Sequence, residues 1–321
     1  MDKSRLIRIG LTASLLVFLG LHAVTLTTYP PIHCDEAYYA DTALSAVTWG
    51  AFATTAQGPV YGIDRNHTIM SRVYSVGLGL ALKTLGVSIV TGRLFSLLGT
   101  LAAMAGTVWL GKRIYGWRTG LWAALLFGFS WKAFIGTHTT RPDTWLTAAI
   151  VALIAILVAE SSRKKFRHAL LIGIAGPLVG DLHFNGMYFL VGITLAVGYL
   201  WFVAERHWDL LLGYGAGVTI GVVLWAGLRF LPDPAAAWYQ WRVGMTRLSM
   251  GWGTRAISLR LMDMVFWVRD QFWSGNRGLD AVEGLFFLGG LAFALKRRSR
   301  ADVTLLIVIA GAGLAFAALM T

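Results

Sequence analysis

Three short stretches of this chain gather residue types that serve acid–base and phosphate chemistry. The first runs Pro30-Pro31-Ile32-His33-Cys34-Asp35-Glu36-Ala37-Tyr38-Tyr39-Ala40-Asp41, directly after an apolar segment. A carboxylate at the edge of a membrane, near an arginine, has its charge tuned by the lower dielectric and can act as a base toward a hydroxyl. The same residues also read as a helix start, because the prolines end the preceding segment and His33 or Asp35 can cap the next. The second stretch is Thr139-Thr140-Arg141-Pro142-Asp143-Thr144-Trp145. Pro142 and Asp143 suit a first helical turn. Arg141 adds an anion-binding group that helix initiation does not require. The third is Gly180-Asp181-Leu182-His183-Phe184-Asn185-Gly186. Asn185-Gly186 makes a tight turn by ordinary chemistry. Asp181 and His183 lie at membrane depth, where ionisable groups are costly and point to function. A lone histidine there equally reads as a hydrogen-bonded structural residue.

The elements that must position these residues follow from composition. Of 321 residues, 56% are hydrophobic and only 14% are charged, against about 25% charged in a soluble domain. Seventeen Phe and fourteen Trp suit aromatic belts at two water boundaries. The net charge of +12 is spread over short basic clusters, Lys3/Arg5/Arg8, Lys112/Arg113/Arg118, Arg163/Lys164/Lys165/Arg167 and Lys296/Arg297/Arg298/Arg300. A nucleic-acid groove needs a continuous basic face, so that class is excluded. Cys34 is the only cysteine, which excludes an intrachain disulfide and a CxxC redox motif.

The pattern predicts an all-α polytopic membrane protein. The first apolar segment, about 9–29, reads as a retained signal anchor with a cytoplasmic amino terminus. Further apolar segments fall near 72–88, 94–111, 119–137, 144–159, 169–183, 187–204, 210–230, 281–295 and 303–321. If every one crossed the bilayer, the clusters at 112–118 and 163–167 would face outward, against the positive-inside rule. Reading 72–88 as an in-plane helix resolves this and leaves about nine crossings. The three stretches then share the outer face. Residues 1–230 form a seven-span module with a first outer loop at 30–71. Residues 231–280 form an outer loop rich in Trp and Arg, with an amphipathic helix over 256–268. Residues 281–321 supply the last spans, ending within an apolar run, as a truncated chain or a flush final span would.

The order and sidedness of these motifs resemble the polytopic GT-C glycosyltransferases, most closely the bacterial family 39 type, with the protein O-mannosyltransferases and aminoarabinose transferases among its relatives. The resemblance rests on Asp35-Glu36-Ala37-Tyr38-Tyr39-Ala40, on Leu85-Gly86 leading to Gly92-Arg93-Leu94-Phe95-Ser96, on Arg141-Pro142-Asp143, and on His183-x-Asn185-Gly186, over roughly residues 5–205. It implies transfer of a sugar from a polyprenyl-phosphate donor to a lipid, glycan or protein hydroxyl outside the cytoplasm of a bacterial inner membrane. On that resemblance Asp35 is the base, Glu36 supports it or orients the donor, and Asp143 is the second acidic group. Arg141 contacts donor phosphate or sugar, and Tyr39, His183 and Asn185 join the substrate site. His67 and Arg72 lie near the place where relatives hold the carrier phosphate.

No cofactor is assigned. His33, Asp35 and Glu36 offer donors for a divalent cation, but their spacing is not diagnostic. Two other functions are weighed: a transporter or flippase for lipid-linked sugars, and a non-catalytic subunit of a membrane assembly. The first needs a polar path through the spans, and few polar residues lie there.

Overall fold

A computed structural model describes residues 3–56, 62–68, 70–158, 165–183, 185–203, 206–252 and 277–320. Among these the fold is all helical and contains no strand. The helices are α1 (Lys3–Thr25), α2 (Cys34–Trp49), α3 (Arg72–Leu85), α4 (Ile89–Ile114), α5 (Trp117–Gly128), α6 (Trp131–Thr137) and α7 (Asp143–Val158). They continue with α8 (Lys165–Leu182), α9 (Gly186–Val203), α10 (Trp208–Phe230), α11 (Pro234–Trp252), α12 (Arg277–Arg297) and α13 (Arg300–Met320).

Three of these, α4, α9 and α10, are long and apolar enough to cross a membrane, and they mark the chain as a membrane protein. Shorter apolar helices occupy Ile9–Thr25 and Asp143–Val158. Large apolar side chains stand exposed along the helices, among them Phe202 at 65% and Val223 at 65%. Such surfaces would be costly in water but sit naturally against lipid tails.

Beneath them, Ile150, Leu153 and Ile154 of α7 meet Ile172 and Val179 of α8, Ile193 and Val197 of α9, Tyr214 of α10 and Val308 of α13. A second cluster joins Phe18 of α1, Met104 of α4 and Leu125 of α5. A third seats the α2–α3 pair, through Ala43, Tyr74, Leu78 and Leu82, with Phe95 and Trp145 packed against it.

Local signals explain the element ends nearest these stretches. His33 caps α2 from an extended backbone (φ −93°, ψ 146°), and its Nδ1 accepts the Asp35 N–H at 3.2 Å. Glu36 completes the capping box by accepting the His33 N–H at 3.1 Å. Gly50 ends the helix in the left-handed region, φ 69°. Ser71 caps α3 through Tyr74 N at 3.0 Å, and Ser88 caps α4 through Thr91 N at 3.1 Å.

The run 119–137, expected as one segment, is instead two helices, α5 and α6. Ser130 makes the break: its hydroxyl donates to Phe127 O at 2.7 Å and accepts from Ala133 N at 3.3 Å, ending one helix and starting the next. The polar stretch 231–280 opens with α11, and the amphipathic helix expected over 256–268 lies outside the described residues.

Candidate active site

The starts of α2 and α7 bring two of the sequence motifs together. Arg141 Nη1 lies 3.1 Å from Asp35 Oδ2, and Arg141 Nε lies 3.0 Å from Asp143 Oδ2. All three side chains are partly open, at 36% for Asp35, 33% for Arg141 and 39% for Asp143. The Nε–H makes no in-line hydrogen bond, so the cation bridges the carboxylates by charge and leaves a donor unspent. Burial pulls the Arg141 guanidinium down, but Asp143, Tyr39 and Asp35 together hold it above its ordinary value. It remains a fixed cation.

Tyr39 is half-buried beside this group and packs edge-on to Tyr74 at 5.6 Å. Burial, with Asp143 and Asp35 adding and Arg141 opposing, pushes its phenol up to about 12. It is therefore a neutral hydroxyl that can donate to a sugar or phosphate oxygen. His183 lies within electrostatic reach of Asp143, Arg141 and Asp35. Its Nδ1 accepts the Asn185 N–H at 3.2 Å, so Asn185 contributes its backbone to the turn.

Glu36 points elsewhere. It is buried and accepts from Arg93 Nε at 3.1 Å and Nη2 at 3.0 Å, and from Thr140 N at 2.9 Å and Oγ1 at 3.1 Å. Burial pushes its carboxyl up, but the bonds from Arg93, Thr140 and His33 outweigh that and hold it below the ordinary value. Arg93 also donates to Leu26 O at 2.7 Å and Pro30 O at 3.0 Å. The pair therefore ties the end of α1, the start of α2 and the 139–141 loop to α4. Glu36 positions Asp35 and Arg141 by holding the segments they stand on.

A buried basic cluster lies at the start of α3. Asp181 of α8, fully buried, accepts from Arg72 N at 2.9 Å, Ser71 Oγ at 3.2 Å and Arg229 Nε at 3.0 Å. Arg72 is 3% exposed and stacks 4.1 Å over Phe52. Its Nη2 donates to Asn66 Oδ1, but among the described residues its Nε and Nη1 have no acceptor. His67, also buried, has an unpartnered Nδ1. Burial, with Arg72 and Arg229 near, brings its imidazole down to about 4. Arg72 itself is lowered to about 10 by burial and by Arg229, with Asp181 opposing. Gln240 of α11 accepts from Thr68 N at 2.9 Å and donates to Asn66 O at 2.6 Å, bracing the 66–68 segment.

Asp35, Asp143, Arg141, Tyr39 and His183 thus form one neighbourhood, and the buried His67 and Arg72 another, while Glu36 belongs to neither. Arg229, Arg93, Thr140 and Gln240 had no assigned role in the sequence reading. The one usable signal was an arginine at the edge of an apolar run, true of both Arg93 and Arg229. Comparison with protein-family models, curated proteins and solved structures finds no match to this chain.

Proposed function

We propose that this chain is a GT-C-type membrane glycosyltransferase with about nine crossings, acting on the outer face of a bacterial plasma membrane. It would move a sugar from a polyprenyl-phosphate donor to an acceptor hydroxyl. The observation that carries the reading is the pairing of two half-open carboxylates around Arg141 with a buried, under-bonded guanidinium at Arg72. The α8–α9 turn connects the two: Asp181 accepts from the Arg72 N–H at the start of α3, and His183, two residues on, lies within electrostatic reach of Asp143. A buried cation lacking acceptors is costly unless an anion completes it. A lipid phosphate has the charge and oxygens to do so.

In this reading Asp35 accepts the acceptor's hydroxyl proton as that oxygen attacks the anomeric carbon. The bond from that carbon to the phosphate oxygen breaks, and its electron pair leaves with the phosphate beside Arg72 and His67. Asp35 then returns the proton to water. Arg141 aligns the carboxylates and Tyr39 donates to the sugar. The α3 helix, with 14 residues, spans only about 21 Å. That is short of the roughly 30 Å of hydrocarbon and suits an in-plane role.

Membranes enriched in the protein should move labelled sugar from a polyprenyl-phosphate donor into an acceptor fraction, and Asp35→Asn membranes should not. Absence of transfer with every pentosyl and hexosyl donor in a panel would sink the reading.

A further inference from the structure

The first turn of α2 also holds an arrangement that proton transfer does not use. His33 Nδ1, Cys34 Sγ and the Asp35 carboxylate lie within 4.8 Å of one another. Sγ is 3.8 Å from Nδ1 and 3.9 Å from Asp35 Oδ1, and Nδ1 is 3.5 Å from Oδ2. A tetrahedral zinc ion, with bonds of about 2.3 Å to sulfur and about 2.0–2.1 Å to nitrogen or oxygen, sets its ligand atoms about 3.3–3.6 Å apart. The two edges at sulfur, 3.8 and 3.9 Å, are slightly wider than this, and the carboxylate lies within 4.8 Å of Nδ1, so small side-chain rotations bring the three donors onto one face of such a tetrahedron. They lie this close because the extended backbone of His33 turns its ring back over the first turn of the helix.

The donor set also selects the metal. The sequence grouped His33 and Asp35 with Glu36, a set rich in oxygen that would suit magnesium or calcium. The buried bonds of Glu36 to Arg93 and Thr140 withdraw it, and Cys34 stands in its place. Thiolate and imidazole shift the preference to zinc and similar borderline ions. Two local features oppose a cation, the helix amino terminus and Arg141. Arg141 faces Oδ2, which leaves Oδ1 on the sulfur side, and Asp143 offsets its charge. His33 and Cys34 are exposed, so water can take over the Asp35 N–H that Nδ1 now accepts and can fill the fourth metal position.

We propose that His33, Cys34 and Asp35 bind zinc, or a similar borderline divalent cation, with the fourth position open to solvent. On binding, the ion gains bonds to Nδ1, Sγ and Oδ1. The thiol S–H bond breaks, its proton passes to water, and no oxidation state changes. A carboxylate oxygen that holds the ion is withdrawn from proton transfer, so zinc inhibits glycosyl transfer. That consequence rests on the proposed function; the binding itself does not.

Cobalt(II), titrated into the purified full-length protein, reads the site directly. The expected spectrum has a near-ultraviolet sulfur-to-cobalt band and strong visible bands of tetrahedral cobalt, both displaced by zinc. Cys34→Ser should abolish the sulfur band. His33→Asn keeps a capping side chain but removes the imidazole, and should weaken uptake by at least about tenfold. Only a faint octahedral spectrum, no uptake, or a sulfur band that survives Cys34→Ser would overturn the proposal. Cobalt bands on titration, with no sugar transfer by the same protein before metal is added, would refute the enzyme and leave the metal site standing. Transfer without cobalt bands would do the reverse.

Discussion

At the scale of single residues, the Arg93–Glu36 pair decides whether the candidate site assembles. The carboxylate accepts from His33, Arg93 and Thr140, and the guanidinium also donates to the carbonyls of Leu26 and Pro30. Arg93→Met would leave the carboxylate buried and unpaired. The expected loss is about 3–5 kcal/mol, read as a lowered unfolding midpoint in detergent. The same carboxylate sets an acid limit. Its folded value lies below the ordinary 4.5, so around that pH the unfolded chain binds more protons than the folded one. The stability it contributes is therefore complete above about pH 5 and is lost as pH falls below the ordinary value. Thermal midpoints of wild type should fall more steeply between about pH 5 and pH 3 than those of Glu36→Gln, and parallel curves would contradict this. The sequence made Asp35, Arg141 and Asp143 visible because acidic and basic residues rarely sit together at the end of an apolar run. It could not separate Glu36 from Asp35. The difference lies in Arg93, 57 residues away, and no local pattern records that partner.

At the scale of elements, the buried basic cluster depends on how closely α8 and α10 approach. Their contact is a seam of glycines, Gly173 on α8 facing Gly217 and Gly221 on α10. A Cβ on Gly173 would stand 2.5 Å from Tyr214 O, and one on Gly221 would stand 2.6 Å from Ile174 O. Small residues at such spacing let helix backbones touch within a membrane. Here they bring Arg229, at the end of α10, onto Asp181, at the end of α8. Gly173→Val should wedge the helices apart, lower stability by about 1–3 kcal/mol, and loosen the Arg229–Asp181 pair that braces Arg72. Comparing its melting curve with that of Gly198→Val, a glycine with open space around it, separates packing from helix propensity. Helix existence was readable from apolar runs, since most described helices coincide with one. Their partners were not. Glycine spacing shows that a close approach is available but not which helix supplies it. The Ser130 break was hidden for a related reason, because one serine within an apolar run has no period to disturb.

At the scale of the whole molecule, the membrane character was legible from composition alone, and the exposed apolar side chains agree with it. The proposed orientation rests on charge parity, and Cys34 makes it testable. A membrane-impermeant maleimide should label exposed Cys34 in intact cells. Lys112→Cys in a Cys34→Ser background should react only after the membrane is opened. Labelling of Lys112→Cys in intact cells would break the nine-crossing arrangement. The proposed transfer needs an outer base and a phosphate-holding cluster together, so the most direct test measures both in one preparation. Purified wild type and Asp35→Asn, in lipid nanodiscs, are compared for binding and for turnover of a polyprenyl-phosphate sugar. The variant should keep its melting behaviour and bind the donor as wild type does. Its turnover should fall by about 100-fold to 10,000-fold. A folded, donor-binding Asp35→Asn protein that turns over at the wild-type rate would contradict the proposed transfer.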